Sequence, residues 1–129
     1  MKKTKTKKSA EANDTEIDYS IIEDLKMISV SDGSNFFEEQ RNIFTEYSTK
    51  LIKDLHVAIG SGKTEKILKL AHTLKGSAAN IGALSIVKLC SALEADAKAS
   101  KLGGLQDLLE EIESEISKFY KILNAISPD

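Results

Sequence analysis

Proline is nearly missing from this chain of 129 residues, and the one that occurs, Pro128, stands beside the C-terminus. Residues 1–127 therefore contain nothing that removes a backbone donor and breaks a helix from within. Aromatic residues make up 5% and tryptophan is absent, a poor fit to an aromatic-rich β-sandwich or a base-stacking sheet. Cysteine occurs once, at Cys90, which excludes an internal disulfide framework and a multi-cysteine zinc site. The only two histidines, His56 and His72, are too few for a three-histidine metal site. No apolar run approaches the roughly 20 residues of a membrane span. No apolar segment follows the N-terminal lysines, so they do not open a signal peptide. The expected compartment is the cytoplasm.

What is present suits a packed globule of about one domain: 41% hydrophobic and 29% charged residues. The net charge of −2 conceals strong segregation. Residues 1–8 carry five lysines and no acid, and are read with residues 9–14 as a flexible, solvated Lys-rich tail. No apolar or aromatic residue interleaves with those lysines, so neither a nucleic-acid nor a membrane partner is expected. Residues 63–101 hold seven basic residues against three acidic ones, a locally basic stretch in an otherwise acidic chain. Such a patch favours anionic partners and speeds their encounter.

From residue 15 onward, apolar residues recur at spacings of three and four, the period of an amphipathic helix. Ile21, Leu25 and Ile28 predict a short first helix, with Thr15 and Asp18 as its capping pair. Phe37, Phe44, Tyr47, Leu51, Leu55 and Ala58 mark a second, over about 35–59. Ile67, Ala71, Leu74, Ala78 and Ile81 mark a third, closed by Gly82. Ala83, Ile86, Cys90, Leu93 and Ala97 mark a fourth. Leu105, Leu108, Ile112, Ile116, Phe119, Leu123 and Ile126 mark a long fifth. Gly33, Gly60, Gly62, Gly103 and Gly104 fall between these segments. Four long single-stripe helices with short connections predict an all-α fold: an up-down-up-down antiparallel four-helix bundle with an additional short N-terminal helix, spanning residues 15–127.

Several segments invite a chemical reading and lose it. Gly60-Ser61-Gly62-Lys63-Thr64 looks like the end of a P-loop, but Val57 stands where the first glycine belongs, and a helix precedes where a strand is required. Cys90 falls on an apolar stripe and reads as a small core hydrophobe. His56 lies beside the second helix's stripe with no matched partner in view, and reads as structural or surface.

His72 is different because of its neighbours. At about 100° per residue it points roughly 140° away from its helix's apolar stripe. Leu68, Lys75, Gly76 and Ala79 share its face. Glycine inside a helix costs about 1 kcal/mol relative to alanine, a cost that close approach by another molecule explains. The face combines a nucleophile, a cation, a gap and a dockable surface. Imidazole forms covalent intermediates near neutral pH, and an adjacent ammonium stabilises phosphoryl oxygens in transit. The chain has no nucleotide motif and no carboxylate cluster suited to Mg²⁺, so a partner must bring the activated phosphate and the metal.

Ala71-His72-Thr73-Leu74-Lys75-Gly76-Ser77-Ala78, followed by Asn80, Gly82 and Ala83, resembles the histidine-containing phosphotransfer (HPt) domains of bacterial multistep phosphorelays. The helical stripes from about 17 to 126 agree with that family's architecture. The resemblance implies that His72 takes a phosphoryl group from the aspartyl phosphate of a response-regulator receiver domain and passes it to another receiver. A hybrid sensor histidine kinase is the implied source. It implies that Lys75 steadies the phosphoryl group, that Gly76 clears space beside it and that Ser77 serves close helix packing. Leu68, Lys69, Ala79 and Lys98 would meet the partner. Lys98 and Glu94 look like the positions that face the phosphohistidine from the next helix, and the acidic Glu94 is not expected to touch phosphate. Such a protein is a stoichiometric carrier rather than an enzyme, a monomer with no cofactor of its own, with Mg²⁺ held by the receiver.

Two other readings compete. A non-transferring receiver-binding module would not require Lys75 and Gly76 to be intact. A histidine-kinase dimerisation fragment usually has an acid after the histidine and a proline soon after; Thr73 and the proline-free interior disfavour it.

Overall fold

The structure is a computed structural model that describes residues 15–126. The segment 1–14 read as a tail, and residue 127 of the expected domain, lie outside the described residues. Five α-helices follow one another: α1 (Tyr19–Asp32), α2 (Phe36–Gly60), α3 (Thr64–Asn80), α4 (Leu84–Lys98) and α5 (Leu105–Ala125). A single 3₁₀ turn, Leu102–Gly104, precedes α5, and the described residues contain no strand. α3 packs against α2 and α4, and α5 packs against the same two, closing a ring of four; α1 lies on α2. This is the expected four-helix bundle with a short helix added at its N-terminal side.

The stripes of α2 to α5 became the core largely as their spacing requires. Leu51, Leu55, Ile67, Ala71, Leu74, Ala78, Ile86, Cys90, Leu93, Ala97, Ile112, Phe119 and Leu123 are all buried. Phe44 meets Phe119 edge-on, with ring centroids 5.7 Å apart, an arrangement the ring quadrupoles favour. Gly60 to Thr64 forms the α2–α3 turn and no phosphate loop, with Lys63 at the start of α3.

Some stripe positions are displaced by one residue. Tyr47 is exposed, and Ser48 takes the interior place, its hydroxyl donating to the Thr45 carbonyl. On α5 the buried residue is Leu109, with Leu108 packed at the core's edge. The first helix departs most. Ile21 and Leu25 are half-buried and Ile28 is exposed, whereas Ile22 and Ser29 are buried. Ser29 faces inward because its Oγ accepts the Phe37 amide at 2.8 Å, satisfying one of the donors that the start of α2 leaves without a helical partner.

The capping pair is likewise revised. Asp18 alone caps α1, accepting from the Ser20 amide. Thr15 donates instead to Glu115 on α5, at 3.1 Å. The strand-like lead into α1 thereby ties down the α3–α4 corner. Asp18 donates its amide to the Gly82 carbonyl at 2.8 Å, and Ser85 donates its amide to the Glu16 carbonyl at 3.2 Å. The Ser85 hydroxyl accepts the Glu16 amide, and Lys88 pairs with the Glu16 carboxylate.

That corner requires glycine. Gly82 has φ +80°, and a Cβ there would lie 2.8 Å from the Asp18 carbonyl oxygen. Left-handed backbone alone costs an L-residue roughly 1–2 kcal/mol. Gly82→Ala should therefore lower unfolding free energy by about 2 kcal/mol or more, read as a shift of the urea midpoint at unchanged slope.

Candidate functional site

α3 turns one stripe inward, Ile67–Ala71–Leu74–Ala78, each essentially inaccessible. Everything at His72 follows from that orientation. The side chain of His72 is 74% exposed, so the outward placement expected from helical angles is what the structure shows. Lys75, one turn on, is half-buried at 29%, and Glu94 on α4 is 14% exposed. Gly76 and Ala79 are exposed, Leu68 is half-buried against the core, and Lys69 is exposed one turn before His72.

The three polar groups form one network. Glu94 Oε1 accepts from Lys75 Nζ at 2.6 Å, and Glu94 Oε2 lies 3.3 Å from His72 Nδ1. Burial raises the Glu94 carboxyl, but the hydrogen bond and charge of Lys75, with a smaller contribution from His72, outweigh it and hold it below its ordinary value. Glu94 is therefore ionised near neutral pH and can only accept hydrogen bonds. In the neutral ring Nδ1 must then carry the proton, which leaves the Nε2 lone pair free and directed outward.

This sharpens two expectations. Glu94, expected to face the histidine from the next helix without touching phosphate, contacts both His72 and Lys75. Lys75 is not a free cation beside His72, because its charge is already committed to Glu94. The signal for Glu94 in the sequence is its distance from His72 along two helices joined by a tight turn, which places it on α4's facing side. Its contact could not be read without the register of α3 against α4. Small residues on the packed faces, Ala71, Ala78, Ala83 and Ala97, are all buried and let those helices approach closely.

The remaining candidates fall into place around this network. Gly76 has open space beside it: among the described residues, nothing beyond its chain neighbours and its own helix backbone would lie within 4 Å of a Cβ built there. The fold does not require glycine at 76, in contrast to 82. Lys98 is the exposed last residue of α4, one turn beyond Glu94 on the same side. Lys66 and Lys69 line a groove with Tyr47 and Lys50 of α2 that ends at Thr73, and Lys63 and Glu65 continue it. Cys90 is buried below Glu94; burial first, and the Glu94 charge second, push its thiol up to about 12. His56 is partnered after all. It bridges Glu113 at 3.0 Å and Gln106 at 3.0 Å, both at the α5 side, and so ties α2 to α5 away from His72. Among the described residues no cluster of three or more His, Cys, Asp or Glu side chains is set to hold a metal ion. No helix among them is long and apolar enough to cross a membrane.

A family model described as the Hpt domain matches residues 39–120. The fold is similar to that of histidine-containing phosphotransfer protein B (HptB) from Pseudomonas aeruginosa, with TM-score 0.76 and 22% identity over 84% of this chain and 91% of that one. It is also similar to a rice protein provisionally described as a histidine-containing phosphotransfer protein, with TM-score 0.72 and 20% identity over 84% and 79%. Both likenesses are of fold. Among curated protein sequences none matches.

Two measurements check this geometry. Cys90 should resist alkylation by iodoacetamide at pH 8 in the folded protein and react fully in urea, since a buried thiol so far above neutrality supplies little thiolate. Folding lowers the Glu94 pKa, so its contribution to stability is complete above the unfolded value near 4.5 and is lost as pH falls through the lower folded value. The stability difference between wild type and Glu94→Gln should accordingly narrow as the pH of urea titrations is taken below 4.5.

Proposed function

The chain belongs to the Hpt domain family, and from that membership we propose that it is a stoichiometric phosphocarrier whose His72 relays phosphoryl groups between receiver-domain aspartates. The donor is the aspartyl phosphate of a response-regulator receiver, fed by a hybrid sensor histidine kinase. A second receiver takes the group on. Mg²⁺ belongs to the receiver, and this chain contributes no cofactor, no nucleotide site and no catalytic turnover of its own. The domain of residues 15–127 acts as a cytoplasmic monomer that engages neither nucleic acid nor membrane.

The observation that carries the reading is the exposed His72, with Glu94 on Nδ1, Lys75 one turn on and open space at Gly76. Transfer then balances without an outside base. The Nε2 lone pair attacks phosphorus while the bond from phosphorus to the aspartyl oxygen breaks, its electron pair leaving with the carboxylate. The ring becomes positively charged, its proton still on Nδ1 against Glu94. Lys75 steadies the equatorial phosphoryl oxygens, a role that needs positioning and charge rather than covalent chemistry.

Docking follows from the surface around His72. The cationic groove of Lys63, Lys66 and Lys69 complements the acidic pocket of a receiver and raises the rate of encounter more than the affinity. Leu68 and Ala79 offer apolar contact one turn below and two turns above His72, and Lys98 extends the basic rim on α4. The room left at Gly76 admits the partner's backbone or the phosphoryl group itself.

Transfer of ³²P from a labelled receiver tests the reading. Wild type should label and His72→Gln should not; equal labelling of both sinks it. Lys75→Ala should slow transfer by roughly tenfold or more while leaving the melting temperature nearly unchanged, because a partly exposed ion pair is worth about 1 kcal/mol or less. Gly76→Ala should stabilise the fold by up to about 1 kcal/mol and yet slow transfer. Unimpaired transfer by that variant would remove Gly76 from the docking face.

A further inference from the structure

Glu94 holds two donors that the phosphoryl group will also want. Before transfer the account is balanced: one carboxylate, one ammonium at 2.6 Å and one neutral imidazole at 3.3 Å. With a phosphoryl group on Nε2, Lys75 faces two anions. Its three rotatable N–H donors must be divided between the Glu94 carboxylate and the phosphoryl oxygens. Glu94 is 14% exposed on the side of α4 that meets α3 and holds both groups at once. Among the described residues it is the only carboxylate paired with either group.

On that geometry, and resting on the carrier reading above, we propose that Glu94 is a positioning residue that keeps the phosphohistidine short-lived. It acts twice. It draws Lys75 away from the phosphoryl oxygens, so the bound group has less electrostatic support than an uncontested lysine would give. It also retains the Nδ1 proton on the ring throughout. When the next aspartate oxygen attacks phosphorus, the P–N bond breaks and its electron pair returns to Nε2. The departing ring is then neutral imidazole, and no proton has to be delivered. Both effects favour passing the group onward over storing it. The carboxylate therefore acts through Lys75 and the ring and makes no contact with phosphate, consistent with its sign.

The test uses the full chain phosphorylated at His72, with potassium phosphoramidate as donor, and follows the P–N resonance by ³¹P NMR. Glu94→Gln keeps an acceptor for Nδ1–H and removes only the charge. It should lengthen the phosphohistidine half-life at least threefold. Glu94→Asp keeps the charge but retracts it by one methylene, and should fall between Gln and wild type. In a Lys75→Gln background the Glu94→Gln change should lose most of its effect, since the contest for Lys75 is gone. Equal half-lives in wild type and Glu94→Gln, or an order other than wild type, Asp, Gln, overturns the proposal. Asp carries the test if Gln melts early. The two readings fail separately: a chain that takes no label at His72 from a phosphorylated receiver sinks the carrier reading. A chain that labels there with an unchanged half-life in Glu94→Gln sinks only the role of Glu94.

Discussion

The close packing of α3 on α4 is the constraint on which the site depends. The chain reverses between Asn80 and Leu84 through Gly82, at φ +80°. The Asp18 amide fixes the Gly82 carbonyl from outside. Buried alanines then let the two helices run side by side, with Ala71 and Ala78 on one and Ala83 and Ala97 on the other. With the turn and the interhelical gap both set, the register is set as well. That register puts Glu94 against His72 and Lys75, about twenty positions away in the chain. Neither residue reaches the other because of any local preference. A looser corner would leave an exposed histidine and a lysine with nothing to organise them.

Legibility from sequence followed the physical range of each feature. The cores of α2 to α5 were readable because 3.6-residue periodicity is a local property that tertiary packing seldom overrules in long helices. The outward placement of His72 followed from the same arithmetic. α1 was misread by one position because its inward face includes Ser29, which is buried to serve the first turn of α2 rather than to exclude water. Ser48 in place of Tyr47 is the same kind of error: a hydroxyl that bonds its own helix carbonyl is as buriable as a small hydrophobe. His56 gained partners on α5, and Thr15 gained one there too, through contacts between residues some 50 and 100 positions apart. Glu94 belongs with these in part: its place facing His72 was expected, and its bond to Lys75 was not.

The two instructive glycines sort by what surrounds them. At Gly82 the fold itself occupies the space a side chain would take. At Gly76 nothing among the described residues does, and a helix interior tolerates an unfavourable residue with no internal reward. One glycine is explained by the fold, and the other is left to the docking role proposed for it. Cys90, buried on the stripe beneath the network, is explained by packing.

His72 stands on an open helix flank, not at the bottom of a cleft, and that has a consequence for traffic. A cleft selects its visitors by shape. A flank is selective only in combination with whatever lands on it, and on the carrier reading proposed above it serves one receiver at a time. Partners that use this flank are rivals for it, and an abundant one delays all the others by occupancy alone. On that reading the ratio of copy numbers among such partners becomes a setting of the circuit, adjustable by expression without altering a single residue of this chain.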